Sequence, residues 1–194
     1  MGIITQPLLE LDDTVSAFLL GRQTDPNEHH LYLAGIERYW VQQSETNDCW
    51  AASLQTTRDY MGLYHVPQDE MIRQASGFCP SLQSQREGAD AYQIAYAIDG
   101  TLRRYDMPRT NPHFCSEPKC MIQSLANRHP IIVLSSGHAV VLVGMDYALR
   151  PVTNSPEPLV IIKRLFILDP AKERAEAETW SVFSLCKVDG LLAY

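Results

Sequence analysis

Gln43-Ser44-Glu45-Thr46-Asn47-Asp48-Cys49-Trp50-Ala51-Ala52-Ser53 is the stretch that decides how the rest of this chain is read. A cysteine just behind polar capping residues, at the head of an apolar helical segment, has its thiol where ionisation is easiest. The helix N-terminus carries roughly half a positive charge, and that field stabilises a thiolate. Gln43 stands 49 − 43 = 6 residues upstream, close enough to turn back and donate an N–H to an oxyanion beside the sulfur. Both features belong to a nucleophile, so a base is expected elsewhere in the chain.

Outward from this stretch, Asn47 or Asp48 is expected to cap a helix running from Cys49 to about Met61 and ended by Gly62. Its buried face would carry Ala52, Thr56 and Tyr60. A second helix opens around Val66-Pro67, with acids at its positive end, and runs to about Ala75. Asp90 to Ile98, stopped by Asp99-Gly100, reads as a third, and Cys120 to Asn127 as a short fourth. The last third changes character. Ile131–Leu134, Ala139–Val143 and Leu159–Leu168 are β-branched apolar runs. Ser135-Ser136-Gly137 is short enough for a hairpin, and Tyr147 to Pro158 reads as a longer loop. Upstream, residues 1–30 read as an irregular arm whose polar cluster Gln23 to His30 is a loop. The expected organisation is an N-terminal arm, 1–30, and one α+β domain, 31–194, with helices first and an antiparallel sheet second.

The base is sought in that sheet. His138 follows Gly137 at the head of one strand, and Asp169 closes another just before Pro170. Consecutive antiparallel strands set the start of the first beside the end of the second. Pairing His138 with Asp169 gives an index sum of 138 + 169 = 307, which also pairs Tyr147 with Val160 and centres the turn near residue 153, inside the Pro-rich loop. An imidazole with a carboxylate behind it is the base of a nucleophilic triad.

Together, Gln43, Cys49-Trp50, Gly137-His138 and Asp169-Pro170 resemble, in that order, the papain-like cysteine peptidases. The resemblance spans roughly Ile36 to Cys186. The compact spacing and the Cys49-Trp50-Ala51-Ala52-Ser53 string look most like the small bacterial branch, which holds effector proteases and the double-glycine leader peptidases of bacteriocin exporters. The likeness implies Cys49 as nucleophile and His138 as general base and later acid. It implies Asp169 as the orienter of the imidazole, and the Gln43 side chain with the Cys49 N–H as the oxyanion hole. Asn47-Asp48 replaces the small residues that precede the nucleophile in larger papains. His138 lies only 138 − 49 = 89 residues beyond Cys49, against about 130–150 in those enzymes. Asp169 stands where they carry asparagine, as is common in the bacterial branch. The implied activity is cleavage of peptide or isopeptide bonds through an acyl-enzyme, without metal or organic cofactor, on a protein or peptide substrate. A bacterial effector or toxin role follows from the same likeness.

Composition narrows the field. Hydrophobic residues at 45% and charged residues at 20% are ordinary for a globular domain of 194 residues. A net charge of -7 with no basic stretch argues against nucleic acid as a partner. Glu10, Asp12 and Asp13 interrupt the N-terminal apolar residues, so no secretory signal is expected. No run approaches the ~20 apolar residues of a membrane helix. Five cysteines, an odd set, argue against a disulfide framework. A reducing cytoplasm, or export without a cleavable signal, fits them.

Plainer readings compete at each position. A cysteine at a helix start is usually core, His138 could be a satisfied strand-end histidine, and Asp169-Pro170 an ordinary turn. Gln42 could replace Gln43, although the six-residue offset favours Gln43. His113, Cys115 and Cys120, with Cys79, suggest zinc, but no second close pair completes a site, and buried or loop thiols are the default. Trp50 is expected to pack beneath the nucleophile. His29-His30, His65 and His129 read as turn or loop residues. Two functional alternatives stand: a thiol acyltransferase or transglutaminase-like deamidase, and an inactive binding module on the same fold.

Overall fold

His138–Arg150 is the spine of the molecule, a strand (β4) whose residues Ala139–Ala148 are all buried. Val140, Val141 and Val143 favour the pleated conformation, and no proline interrupts the run. The computed structural model describes residues 27–78, 98, 100–101, 113–115, 117–135, 137–181 and 189–193. Within them the strands are β1 (Glu28–Tyr32), β2 (His113–Phe114), β3 (Ile131–Ser135), β4, β5 (Leu159–Leu168), β6 (Glu178–Ser181) and β7 (Gly190–Ala193). They form an antiparallel sheet in the order β2-β7-β3-β4-β5-β6. β4 is long enough to take two partners on one side. β3 pairs with His138–Leu142, and β1 pairs further along with Gly144–Ala148.

Both faces of this sheet are covered, and β3 shows how. Ile132 and Leu134 pack with Cys49, Trp50 and Leu54 of helix α1 (Cys49–Tyr60). The alternate residues Ile131 and Val133 pack with Met121 and Leu125 of helix α3 (Pro118–Ala126). A strand buried on both faces loses its polar alternation, which is why these strands read as continuous apolar runs. Helix α2 (Gln68–Phe78) joins the α1 side through Met71 and Ala75, beside Val66. α1 is enclosed all round. Every residue from Cys49 to Arg58 is buried, a wider burial than the expected stripe of Ala52, Thr56 and Tyr60.

Several expectations need correction. Glu28–His30 is strand, not loop, because β1 finds pairing groups on the far half of β4. β4 runs on to Arg150, so the loop expected over 147–158 shrinks to residues 151–158. Gly100 and Thr101 are helical, so the third helix does not stop at Gly100; most of it, with arm residues 1–26, lies outside the described residues. Cys115 and Cys120 form a disulfide, against the expectation of free thiols, and as a pair they no longer offer thiolates to zinc.

The β4–β5 register also differs from the expected one. Val141 faces Leu168 and Arg150 faces Leu159, an index sum of 309 rather than 307, so Tyr147 meets Ile162 and not Val160. Bulges between Leu142 and Gly144 and between Asp146 and Tyr147 shift the sum to 310 and back. A displacement of two residues preserves the face on which each side chain lies, because the strand period is two. The inferred neighbourhood of His138 and Asp169 therefore survives the wrong register.

Candidate active site

Cys49 is the first residue of α1, behind Asp48 at the cap position. The Asp48 carboxylate makes no capping bond and instead accepts from Ser44 Oγ at 2.6 Å. The first i to i−4 bond of the helix runs from Ala52 N–H to the Asp48 carbonyl at 3.0 Å. The Cys49 N–H therefore has no acceptor inside its own helix. The sulfur sits in a buried cluster with Trp50, Leu54, Leu134 and Ala139, with Trp50 packed as expected.

The β3–β4 hairpin brings the imidazole to this point. Ser135 pairs with His138, and Gly137 turns the chain at φ 80°, a left-handed conformation that glycine adopts without Cβ strain. The next residue locks strand to helix. Ala139 N–H donates to Cys49 Sγ at 3.3 Å, and Ser53 Oγ donates to the Ala139 carbonyl at 3.0 Å. Cys49 and Ser53 lie four residues apart and so on one helix face. Ser53 was in the opening stretch, and that spacing was the available sign of its role.

Asp169 follows the last residue of β5. Continuing the register of 309 puts it opposite Val140, diagonal to His138. Its Oδ1 lies 2.8 Å from His138 Nε2 and also accepts from Ala171 N–H at 2.9 Å. The hydrogen bond to Asp169, then one to Cys49, push the His138 pKa up to about 10, more than offsetting the partial burial of the ring. Burial pushes the Asp169 carboxyl up. The hydrogen bonds from His138 and the Ala171 amide, with the charges of His138 and Lys172, outweigh it and hold the group below its ordinary value. His138 is thus a cation at neutral pH, shared between a carboxylate and a sulfur, with Nε2 given to the carboxylate.

Gln43 is tied to the same strand end. Its backbone N–H donates to the Pro170 carbonyl at 3.0 Å, and Trp40 Nε1 donates to the Asp169 carbonyl at 3.2 Å. The Gln43 side-chain nitrogen donates to the carbonyls of Glu45 and Thr46 at 3.0 and 3.1 Å, within the turn that leads to Cys49. The structure thus joins Cys49, His138 and Asp169 directly, and ties Gln43 to them through its backbone with its amide folded into the turn. Gln68, bonded to the backbone on either side of Gln43, went unnoticed in the sequence, where a glutamine after proline carries no signal of such a role.

The arrangement sets a sulfur at a helix start, an imidazolium able to give and take back a proton, and a backbone N–H at Cys49 with no acceptor inside its own helix. Residues 36–186 match the family described as papain-like cysteine protease AvrRpt2. The chain belongs to this family of papain-like cysteine proteases. The protease also resembles in fold the crystal structure of the peptidase domain of Streptococcus ComA, a bi-functional ABC transporter involved in a quorum sensing pathway. The likeness has a TM-score of 0.50 at 16% identity and covers 79% of this chain and 94% of that one. No curated protein sequence matches the protease. As a cysteine-type peptidase it takes a protein or peptide as substrate. Among the described residues of the protease, no helix is long and apolar enough to cross a membrane.

Proposed function

We propose that this protease cleaves peptide or isopeptide bonds through an acyl-enzyme on Cys49, with His138 as base and acid and Asp169 as its orienter. The 2.8 Å bond from His138 to Asp169, beside a sulfur held against the neighbouring Ala139 N–H, is the observation that carries this reading. The thiolate attacks the scissile carbonyl carbon, and the carbonyl oxygen takes up the negative charge. Collapse of this intermediate breaks the C–N bond, and His138 gives its proton to the departing amine. Water then adds to the thioester as His138 takes its proton, and the carboxylic acid leaves with the thiolate regenerated.

The Cys49 N–H and the Gln43 amide are the proposed oxyanion donors. For Gln43 this requires one N–H to swing from the Glu45 or Thr46 carbonyl to the developing charge. Gln43→Ala should then lower kcat by about 10²-fold with KM little changed, because that bond forms only in the transition state. We propose no cofactor for this chemistry. We take the catalytic core to begin with β1 at Glu28, leaving the preceding residues as the arm. The likeness to the small bacterial branch supports a bacterial effector or toxin role. Incubating a cell extract with wild type and Cys49→Ala, then sequencing new N-termini, tests the activity. Termini produced by wild type alone support proteolysis. Intact proteins with mass shifts at glutamine would favour deamidation or transfer instead.

A further inference from the structure

Three bonds define the backbone at Gln43. Its own N–H donates to the Pro170 carbonyl at 3.0 Å. On the other side, Gln68 Nε2 donates to the Gln42 carbonyl at 2.8 Å, and Ser44 N–H donates to Gln68 Oε1 at 3.3 Å. In an extended residue the preceding carbonyl and the following N–H point to one side, and the residue's own N–H points to the other. Gln43 follows this pattern. The Gln68 side-chain amide stands in for a neighbouring strand along one edge, and the Pro170 carbonyl serves the other. Gln68 opens α2, whose Met71 and Ala75 are anchored in the core with Leu54 of α1. The amide thus has a rigid base.

We propose that Gln68 is a positioning residue for the oxyanion hole, holding the Gln43 backbone fixed so that only its side chain moves during catalysis. The inference rests on the reading of Gln43 as an oxyanion donor. A glutamine side chain has three rotatable bonds, and a mobile backbone would spread its amide over many positions. Donors that stabilise a transition state must be aimed before charge develops. Removing Gln68 frees two backbone groups and loosens that aim without touching the sulfur, the imidazole or Asp169.

Two reagents separate this role from general support of the fold. Acylation of Cys49 by p-nitrophenyl acetate passes through a tetrahedral oxyanion; alkylation by iodoacetamide forms none. Both rates are measured on the full chain in wild type, Gln68→Ala, Gln68→Glu, Gln43→Ala and the Gln43→Ala/Gln68→Ala pair, with the Cys49→Ala rate subtracted. Gln68→Ala should slow acylation about tenfold and leave alkylation within about twofold, and its effect should vanish in the Gln43→Ala background. Gln68→Glu keeps the acceptor for Ser44 and loses the donor to Gln42, so it should slow acylation in the same direction. Equal slowing with both reagents, or an undiminished effect in the Gln43→Ala background, would overturn the inference. Wild-type acylation by both Gln68 variants beside a slow Gln43→Ala would sink it alone. Wild-type acylation by Gln43→Ala would remove the oxyanion reading of Gln43, and this inference with it.

Discussion

Two histidine–aspartate pairs hang on β4, one at each half. At its start, His138 Nε2 meets Asp169 Oδ1 at 2.8 Å. Further along, His30 Nδ1 meets Asp146 Oδ1 at 2.5 Å, and Arg164 Nε donates to the other carboxylate oxygen at 2.6 Å. The second cluster forms from direct register, since His30, Asp146 and Arg164 are successive cross-strand partners on β1, β4 and β5. Phe166 meets the His30 ring edge-on at 5.5 Å. The third member of the first pair is the Cys49 sulfur; the third member of the second is a guanidinium. A sheet readily sets a carboxylate beside an imidazole, so the pair alone does not mark chemistry. The sulfur at a helix start decides it. His30, with a side chain 57% exposed, belongs to a partly solvated ion-pair network of modest worth.

The largest test of this contrast is loss of activity. Cys49→Ala and His138→Ala should each lower cleavage by at least about 10⁴-fold, whereas His30→Ala and Asp146→Ala should stay within about twofold. Comparable losses at His30 would show that the second pair takes part in catalysis.

Asp169 gives a finer test. Asp169→Asn keeps an oxygen that can accept the imidazole N–H, so it should retain measurable activity. Asp169→Ala frees the ring and should lose roughly another 10-fold or more. Kinetics of both variants at several pH values check this. Equal and complete loss would make the negative charge indispensable, and wild-type rates in Asp169→Ala would assign the third position elsewhere.

The second half of β4 should respond in stability rather than rate. Gly144 lies where β1 closes on β4, and a Cβ there would meet the Leu31 carbonyl oxygen at 2.6 Å and Tyr32 Cδ2 at 2.7 Å. Gly144→Ala should cost about 1–3 kcal/mol in denaturant unfolding, with Cys49 acylation within about twofold. A large fall in acylation would mean that β1 docking reaches the catalytic end.

The smallest effect is in pH. The His138 pKa is raised from 6.5 to about 10, so its stabilisation is complete below 6.5 and lost as pH rises through about 10. Asp169 is lowered from 3.8, so its contribution is complete above 3.8 and lost as pH falls through its depressed value. The destabilisation caused by Asp169→Ala should therefore be greatest between about pH 4 and 6.5 and shrink toward pH 10. Thermal melts of both proteins across pH measure it, and a difference independent of pH would contradict the ion pair.

The sequence disclosed the elements that carry their own pattern. The apolar runs of β3, β4 and β5 and the start of α1 at Cys49 were visible because periodicity and turn residues are local, although Asp48 makes no capping bond there. The register was not. It is set where the connection over residues 151–158 closes, pairing Arg150 with Leu159, while the two bulges cancel each other; the inferred contact held because the error was even. β1 was hidden by polarity, for Glu28, His29 and His30 match groups such as Asp146 and Tyr147 more than a hydrophobic core. Gln68 was invisible for a related reason, since its contacts depend on which segments the fold brings together. The Cys115–Cys120 disulfide closes over only five residues and was missed because an odd set of cysteines argued against any pairing.

The central claim is that His138, and not merely burial at a helix start, activates Cys49. Iodoacetamide labelling at pH 6, with peptide-level mass spectrometry of wild type and His138→Ala, tests it most directly. Cys49 should react faster than Cys79 and Cys186 in wild type and lose that advantage in His138→Ala. A Cys49 no faster than the other two, or equally fast without the imidazole, would contradict the account.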